Sequence, residues 1–162
     1  PVFDPSLSGG ALYDLNVYNL SLIISLFGRP QSASYAANIG FNGIDTSGIL
    51  TLRYDGFVAS AAAAKDSMSP SFFMIQGESG WIHAEGTPNE LRSFTVGLRG
   101  KEPRTYALNR YEHRMVHEFE AMRDIFERGD YARAEEGLHT TRTVMAVMEK
   151  ARLMAGIQFR AD

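Results

Sequence analysis

The sequence predicts an α+β fold, a predominantly antiparallel open-faced sheet with helices packed on one face. Three observations predict it. Helical spacing of apolar residues opens the chain and returns only from Tyr111 onward. Between them, over about 31–108, the pattern is strand-like. That middle stretch is punctuated by Asn42-Gly43, Asp55-Gly56 and Gly77-Glu78-Ser79-Gly80, tight-turn signals that join neighbouring strands into hairpins and so build an antiparallel sheet.

The elements follow in order. Residues 1–8 form a lead-in. Ser8, Gly9 and Gly10 mark a helix start, and the helix runs over 9–30. Gly28 stands where a left-handed cap belongs, Arg29 suits the negative end of the dipole, and Pro30 forbids continuation. Leu12, Leu15, Leu22, Ile23 and Leu26 mark its apolar face, while Asp14, Tyr18, Ser21 and Ser25 line another. Residues 31–41 are rich in small side chains. Over 45–54 Leu50, Leu52 and Tyr54 alternate with Ile49, Thr51 and Arg53, and 57–64 is the partner strand across Asp55-Gly56. Residues 65–70 read as a loop. Strands at 71–76 and 81–84 make a second hairpin, with weaker strands at 91–96 and 104–108. Tyr111, Met115, Phe119, Met122 and Phe126 then form a helical stripe ended by Gly129. Asp130 caps a last helix, with a stripe through Ala134, Leu138, Met145, Met148 and Ala151, stopped by Gly156.

Composition narrows the function. A chain of 162 residues fits a single domain with a substantial core. A net charge of −3 gives no support for nucleic-acid binding, which needs a clustered basic face. With no cysteine there is no disulfide framework, thiol nucleophile or thiolate metal site, which fits a cytoplasmic protein. Asp14, Asn16, Asn19, Ser21 and Ser25 argue against placing the opening helix in a membrane. Pro1 is not a natural start, so the chain reads as a segment of a longer one.

Asp14 is the single formal charge between Gly9 and Gly28. A carboxylate on so apolar a helix is costly unless it is paired or working. Tyr18 lies one turn on, close enough for both to act on one ligand. Two readings fit the spacing: an acid/base pair, or a buried Asp held by backbone donors beside a core Tyr. His113 and His117 are also i,i+4 neighbours, but Met115 and Phe119 put the buried stripe elsewhere, so they read as an exposed polar face and not a metal site. Phe72, Phe73, Met74 and Trp81 make a candidate interaction patch.

Gly9-Gly10-Ala11-Leu12 with Asp14 and Tyr18, then an apolar run ending in Phe27-Gly28 and Pro30, resembles the start of the C-terminal domain of the glucose-fructose oxidoreductase / inositol dehydrogenase / MocA family. The hairpin at 45–56, the turn at 77–82 and the helix segment at 143–157 are similar to later landmarks of that domain, in the same order. The resemblance implies that 1–162 is a single C-terminal substrate and oligomerisation domain of an NAD- or NADP-dependent oxidoreductase. Its substrate would be a sugar, polyol or related small molecule, and its own N-terminal Rossmann domain is absent from this chain. It implies Asp14 and Tyr18 as catalytic residues, assisted by a Lys of the Rossmann half, and a homo-oligomer formed through the open sheet face. Loops near Lys65 and Asp66 approach substrate in that family, which makes these two substrate-binding candidates beside their reading as a surface loop. The sequence carries no Gly-x-Gly-x-x-Gly fingerprint, so no bound cofactor and no activity are expected of this segment alone. Asn16 departs from the family, where a Gly is common. The alternative is a non-catalytic dimerisation or ligand-sensing module on the same fold.

Overall fold

The computed structural model describes residues 4, 7 and 9–159, so the Ser8 boundary and most of the lead-in lie outside the described residues. The chain divides into two compact units, Pro1–Met68 with Glu135–Asp162, and Ser69–Ala134.

In the first unit the opening helix is wound in two ways. Leu12–Asn16 is π-helical, and α1 follows directly over Val17–Phe27. Gly28 at φ 72° ends it, donating its N–H to the Ile24 carbonyl. Three antiparallel strands then form a sheet in the order β1 (Ser32–Ile39), β2 (Asp45–Arg53), β3 (Val58–Ala64). Both hairpins predicted at Asn42-Gly43 and Asp55-Gly56 are present. The register pairs Ala33 with Leu52, Tyr35 with Leu50 and Leu50 with Ala61. One row of alternating side chains is therefore Ala33, Tyr35, Leu50, Leu52 and Ala61, and all five are buried. They share one core with Leu12, Leu20 and Ile24 of the first helix, with Val144, Val147, Met148 and Ala151 of α3 (Tyr131–Met154), and with Ile157. Leu50 and Leu52 are fully buried, and truncating either to Ala removes on the order of 2–5 kcal/mol. The other face of this sheet, with Ser34, Ile49 and Val58, is exposed. Helices cover one face and leave the other open, as the fold class requires.

The helix registers differ from the predicted ones. On the first helix the buried positions are Leu12, Asn16, Leu20 and Ile24, whereas Leu26 is exposed and Leu15, Leu22 and Ile23 are only half-buried. A π turn holds more residues than an α turn and rotates everything after it about the helix axis, so a stripe drawn at constant α pitch goes astray. On α3 the core face is Val144, Val147, Met148 and Ala151, while Leu138 and Met145 are exposed.

In the second unit β4 (Phe72–Gly77), β5 (Gly80–Glu85), β6 (Phe94–Leu98) and β7 (Arg104–Tyr106) form a four-stranded antiparallel sheet in that order. Phe73 opposes Ala84, and Ile75 opposes Ile82. This row is the more buried one, while Phe72, Met74 and Trp81 lie on the exposed row. The four residues of the predicted patch are thus split, with Phe73 on the opposite face. Helix α2 covers Met115–Arg128 and ends at Gly129 in the left-handed conformation; Asp130 accepts the Arg133 N–H at the start of α3. The stripe of α2 is present but uncovered: Phe119, Met122 and Phe126 are exposed. Periodicity defines a face without stating what lies against it.

Candidate active site

The start of the first helix is fixed by a residue from another element. Asp45, at the head of β2, is 1% exposed. Its Oδ2 accepts the Leu12 backbone N–H at 2.6 Å and the Tyr35 hydroxyl at 2.7 Å. A helix start leaves backbone N–H groups without intrahelical partners, and a carboxylate satisfies them best because it also meets the positive end of the dipole. Gly10 makes room for this. A Cβ there would sit 2.1 Å from Asp45 Oδ1, and its φ of +120° disfavours any other residue. Tyr35 reaches Asp45 across Gly48, where a Cβ would lie 2.5 Å from the phenol ring. Burial, with the Asp45 carboxylate second, pushes the Tyr35 hydroxyl well above its ordinary titration range. It is held as a neutral donor.

The π turn that Asp45 pins also carries Asp14. π turns recur at functional sites, where one inserted residue re-aims a side chain. Beneath it Asn16 is fully buried, donating to the Ala61 carbonyl at 3.4 Å and accepting from Asn19 Nδ2 at 2.8 Å. A Gly there would leave that space unfilled. Asp14 faces outward, its side chain 44% exposed, and its Oδ2 accepts from Lys65 Nζ at 2.6 Å. Tyr18, at the start of α1, is 45% exposed, Ser25 is exposed and Ser21 is half-buried. The polar face predicted for this helix is therefore the outward one.

Lys65 follows β3 directly, and its backbone N–H bonds to the Thr46 carbonyl at 2.8 Å. It continues the inner row of Ala61 and Ala63, which brings its ammonium to the helix side of the sheet. Its side chain is only 6% exposed. Asp66 accepts from Thr46 Oγ1 at 2.5 Å and Ser47 Oγ at 3.1 Å. The Thr46 hydroxyl, first among several donors, holds the Asp66 carboxyl below its usual range. Of the four residues singled out by sequence, Asp14 and Lys65 form an ion pair, Tyr18 is displayed on the same helix as Asp14, and Asp66 is tied to the strand residues Thr46 and Ser47.

Asp45, Tyr35 and Asn16 were missed as positioning groups. The paired glycines carried a signal for Asp45, since such a pair marks close approach of another group; the identity of that group needed the fold. Among the described residues no cluster of three or more His, Cys, Asp or Glu could hold a metal ion. Among them, too, no helix is long and apolar enough to cross a membrane.

Residues 2–83 match the family model described as the GFO/IDH/MocA C-terminal domain. The scyllo-inositol 2-dehydrogenase (NADP(+)) IolU of Bacillus subtilis (strain 168) is 29% identical over 160 residues, which is 99% of this chain and 48% of the relative. The chain thus spans about half the length of the curated relatives it matches. Among solved structures, the UDP-N-acetylglucosamine 3-dehydrogenase GnnA from Acidithiobacillus ferrooxidans superposes with a TM-score of 0.69 at 18% identity, over 98% of this chain and 52% of that one. KijD10, a 3-ketoreductase from Actinomadura kijaniata in complex with TDP-benzene and NADP, gives 0.65 at 14% identity, over 86% and 46%. At these identities the two structures establish the fold alone.

Proposed function

This chain belongs to the GFO/IDH/MocA family, as its C-terminal domain, and from that premise we propose that it forms the substrate-side half of a cytoplasmic NAD(P)-dependent oxidoreductase acting on a polyol or sugar. The observation that carries this is the Asp14–Lys65 ion pair beside the exposed Tyr18 on one helix.

The nicotinamide cofactor does not fit the described residues. Every strand pairing among them is antiparallel, and a dinucleotide cradle is built from a βαβ unit of parallel strands. Hydride chemistry then belongs to a cofactor held by another part of the protein, and this chain handles the substrate hydroxyl and its proton. Asp14 accepts a hydrogen bond from one substrate hydroxyl and so orients the ring. As the phenolate, Tyr18 takes the proton that leaves the reacting hydroxyl as the carbon is oxidised and becomes the phenol; in reduction the phenol gives that proton to the forming alkoxide and returns to the phenolate. The curated relative named as a scyllo-inositol 2-dehydrogenase supports a polyol as the first probe. The open face of the β1–β3 sheet, with Ile49 and Val58 exposed, serves as the contact between two copies.

The test is turnover of scyllo-inositol by the protein with its cofactor-binding part. Tyr18→Phe should lower kcat by about 100-fold or more while cofactor affinity, read by calorimetry, stays within twofold. Unchanged turnover in Tyr18→Phe removes the assignment. The 162-residue chain alone should give no heat of binding with NADP, and stoichiometric binding would refute the division of labour.

A further inference from the structure

Lys65 was a candidate for direct substrate contact, but its geometry supports a different part. Its side chain is 6% exposed against 44% for Asp14, so the ammonium has little surface to offer a ligand. We propose that Lys65 is a positioning residue that acts through Asp14, deepening the oxidoreductase reading on which it rests.

Four observations converge on it. Lys65 Nζ lies 2.6 Å from Asp14 Oδ2, a charge-assisted bond of the strong class. The bond takes one carboxylate oxygen; Oδ1 receives no bond from the described residues, and the exposed part of the side chain is free to meet a hydroxyl. The base of Lys65 is itself fixed, because its N–H is bonded to the Thr46 carbonyl and the next carboxylate, Asp66, clamps the hydroxyls of Thr46 and Ser47. The other end of the pair is fixed as well, because Asp45 pins the turn that carries Asp14. A half-exposed aspartate would otherwise sample several rotamers. Here a buried cation selects one and holds it before substrate arrives, and pre-organisation of this kind removes an ordering cost from binding.

The ligand class follows from the geometry. A carboxylate with one oxygen engaged and one open is an acceptor for a neutral hydroxyl donor. An anionic substrate group would be repelled by it, and the buried ammonium could not reach out to compensate. The site therefore takes a neutral polyol face at this position.

Three variants of the 162-residue chain test the role of Lys65: Lys65→Met, Lys65→Arg and Lys65→Gln. Vicinal NMR couplings read the Asp14 χ1 rotamer in each. The parent and Lys65→Arg should show one rotamer, and Lys65→Met an average of several. One fixed Asp14 rotamer in Lys65→Met overturns the proposal. Should Lys65→Met fail to fold by circular dichroism, Lys65→Gln is read the same way. In the scyllo-inositol turnover assay Lys65→Met should lose about 100-fold in kcat/KM, with Lys65→Arg recovering most of it. A purely structural lysine would lower the melting temperature and leave the rotamer and kcat/KM unchanged, which also overturns the proposal. Absence of turnover in the unaltered enzyme would count against the oxidoreductase reading alone, since the rotamer still decides the part Lys65 plays.

Discussion

Replacing Asp45 by Ala perturbs the one buried carboxylate that holds the π turn. Two donors lose their acceptor, the Leu12 N–H and the Tyr35 hydroxyl, at 2.6 and 2.7 Å. A buried donor left unsatisfied costs about 1–3 kcal/mol. Two of them give roughly 2–6 kcal/mol, and removing a buried charge returns part of that by relieving its desolvation, so a net loss of about 3 kcal/mol is expected. Tyr35→Phe removes one donor and leaves the Leu12 bond intact, so it should lose about 1 kcal/mol. The two changes share a bond and should couple by about 1 kcal/mol in a double-mutant cycle. The assay must report the first unit. The single tryptophan, Trp81, lies in the second, so its fluorescence is the wrong probe. Peptide-resolved hydrogen exchange over residues 10–20 is the right one. A loss of about 3 kcal/mol should speed exchange there by about 100-fold, at roughly 1.4 kcal/mol per tenfold. If Asp45→Ala exchanges like the parent over that peptide, or the two losses simply add, Asp45 does not hold the turn through these two bonds.

The remaining predictions are briefer. Because Tyr35 is held neutral in the folded state, stability should be intact below about pH 10, the ordinary phenol range, and fall above it by about 1.4 kcal/mol per pH unit until Tyr35 itself ionises; Tyr54, raised by burial, adds in the same direction, and Tyr35→Phe should flatten the slope in alkaline melts. Gly97→Ala places a Cβ 2.3 Å from the Trp81 ring, so the indole must move. Its emission should shift and the second unit should lose about 1–3 kcal/mol; an unchanged spectrum would contradict the contact. Ile49→Lys changes an exposed residue and should leave the melt within about 0.5 kcal/mol while converting a dimer to monomers in sedimentation. A monomeric parent or a dimeric variant would each refute the sheet-face contact.

The hairpins were legible because their causes are local. Asn42-Gly43 and Asp55-Gly56 set the turns, and period-two alternation then assigned Leu50, Leu52 and Tyr54 to one face, all three of which are buried. The faces of the helices were less legible. Asn16 is fully buried and Leu26 is 54% exposed, against every expectation from polarity. The cause is the π turn, which no propensity announces. Long-range partners were beyond local reading altogether: Lys65 meets Asp14 across 51 residues of sequence, and Asp45 meets Leu12 across 33.

These two contacts explain why the paired glycines, the aspartate and the lysine belong to one arrangement. Gly10 clears the space into which Asp45 projects. Asp45 then supplies from β2 the acceptor that a local N-cap would otherwise give the Leu12 N–H, and the turn it caps is wound as π and not α. The turn displays Asp14 outward, where an unpaired carboxylate would be free to wander. Lys65, delivered by the end of β3, stops that motion. Each strand of the β2–β3 hairpin therefore contributes one charge to the helix start, a carboxylate to its backbone and an ammonium to its side chain. The hairpin is the template on which the reactive end of the helix is set, and a slip of one residue in its register would turn Lys65 to the open face and unmake the site while leaving the strands paired.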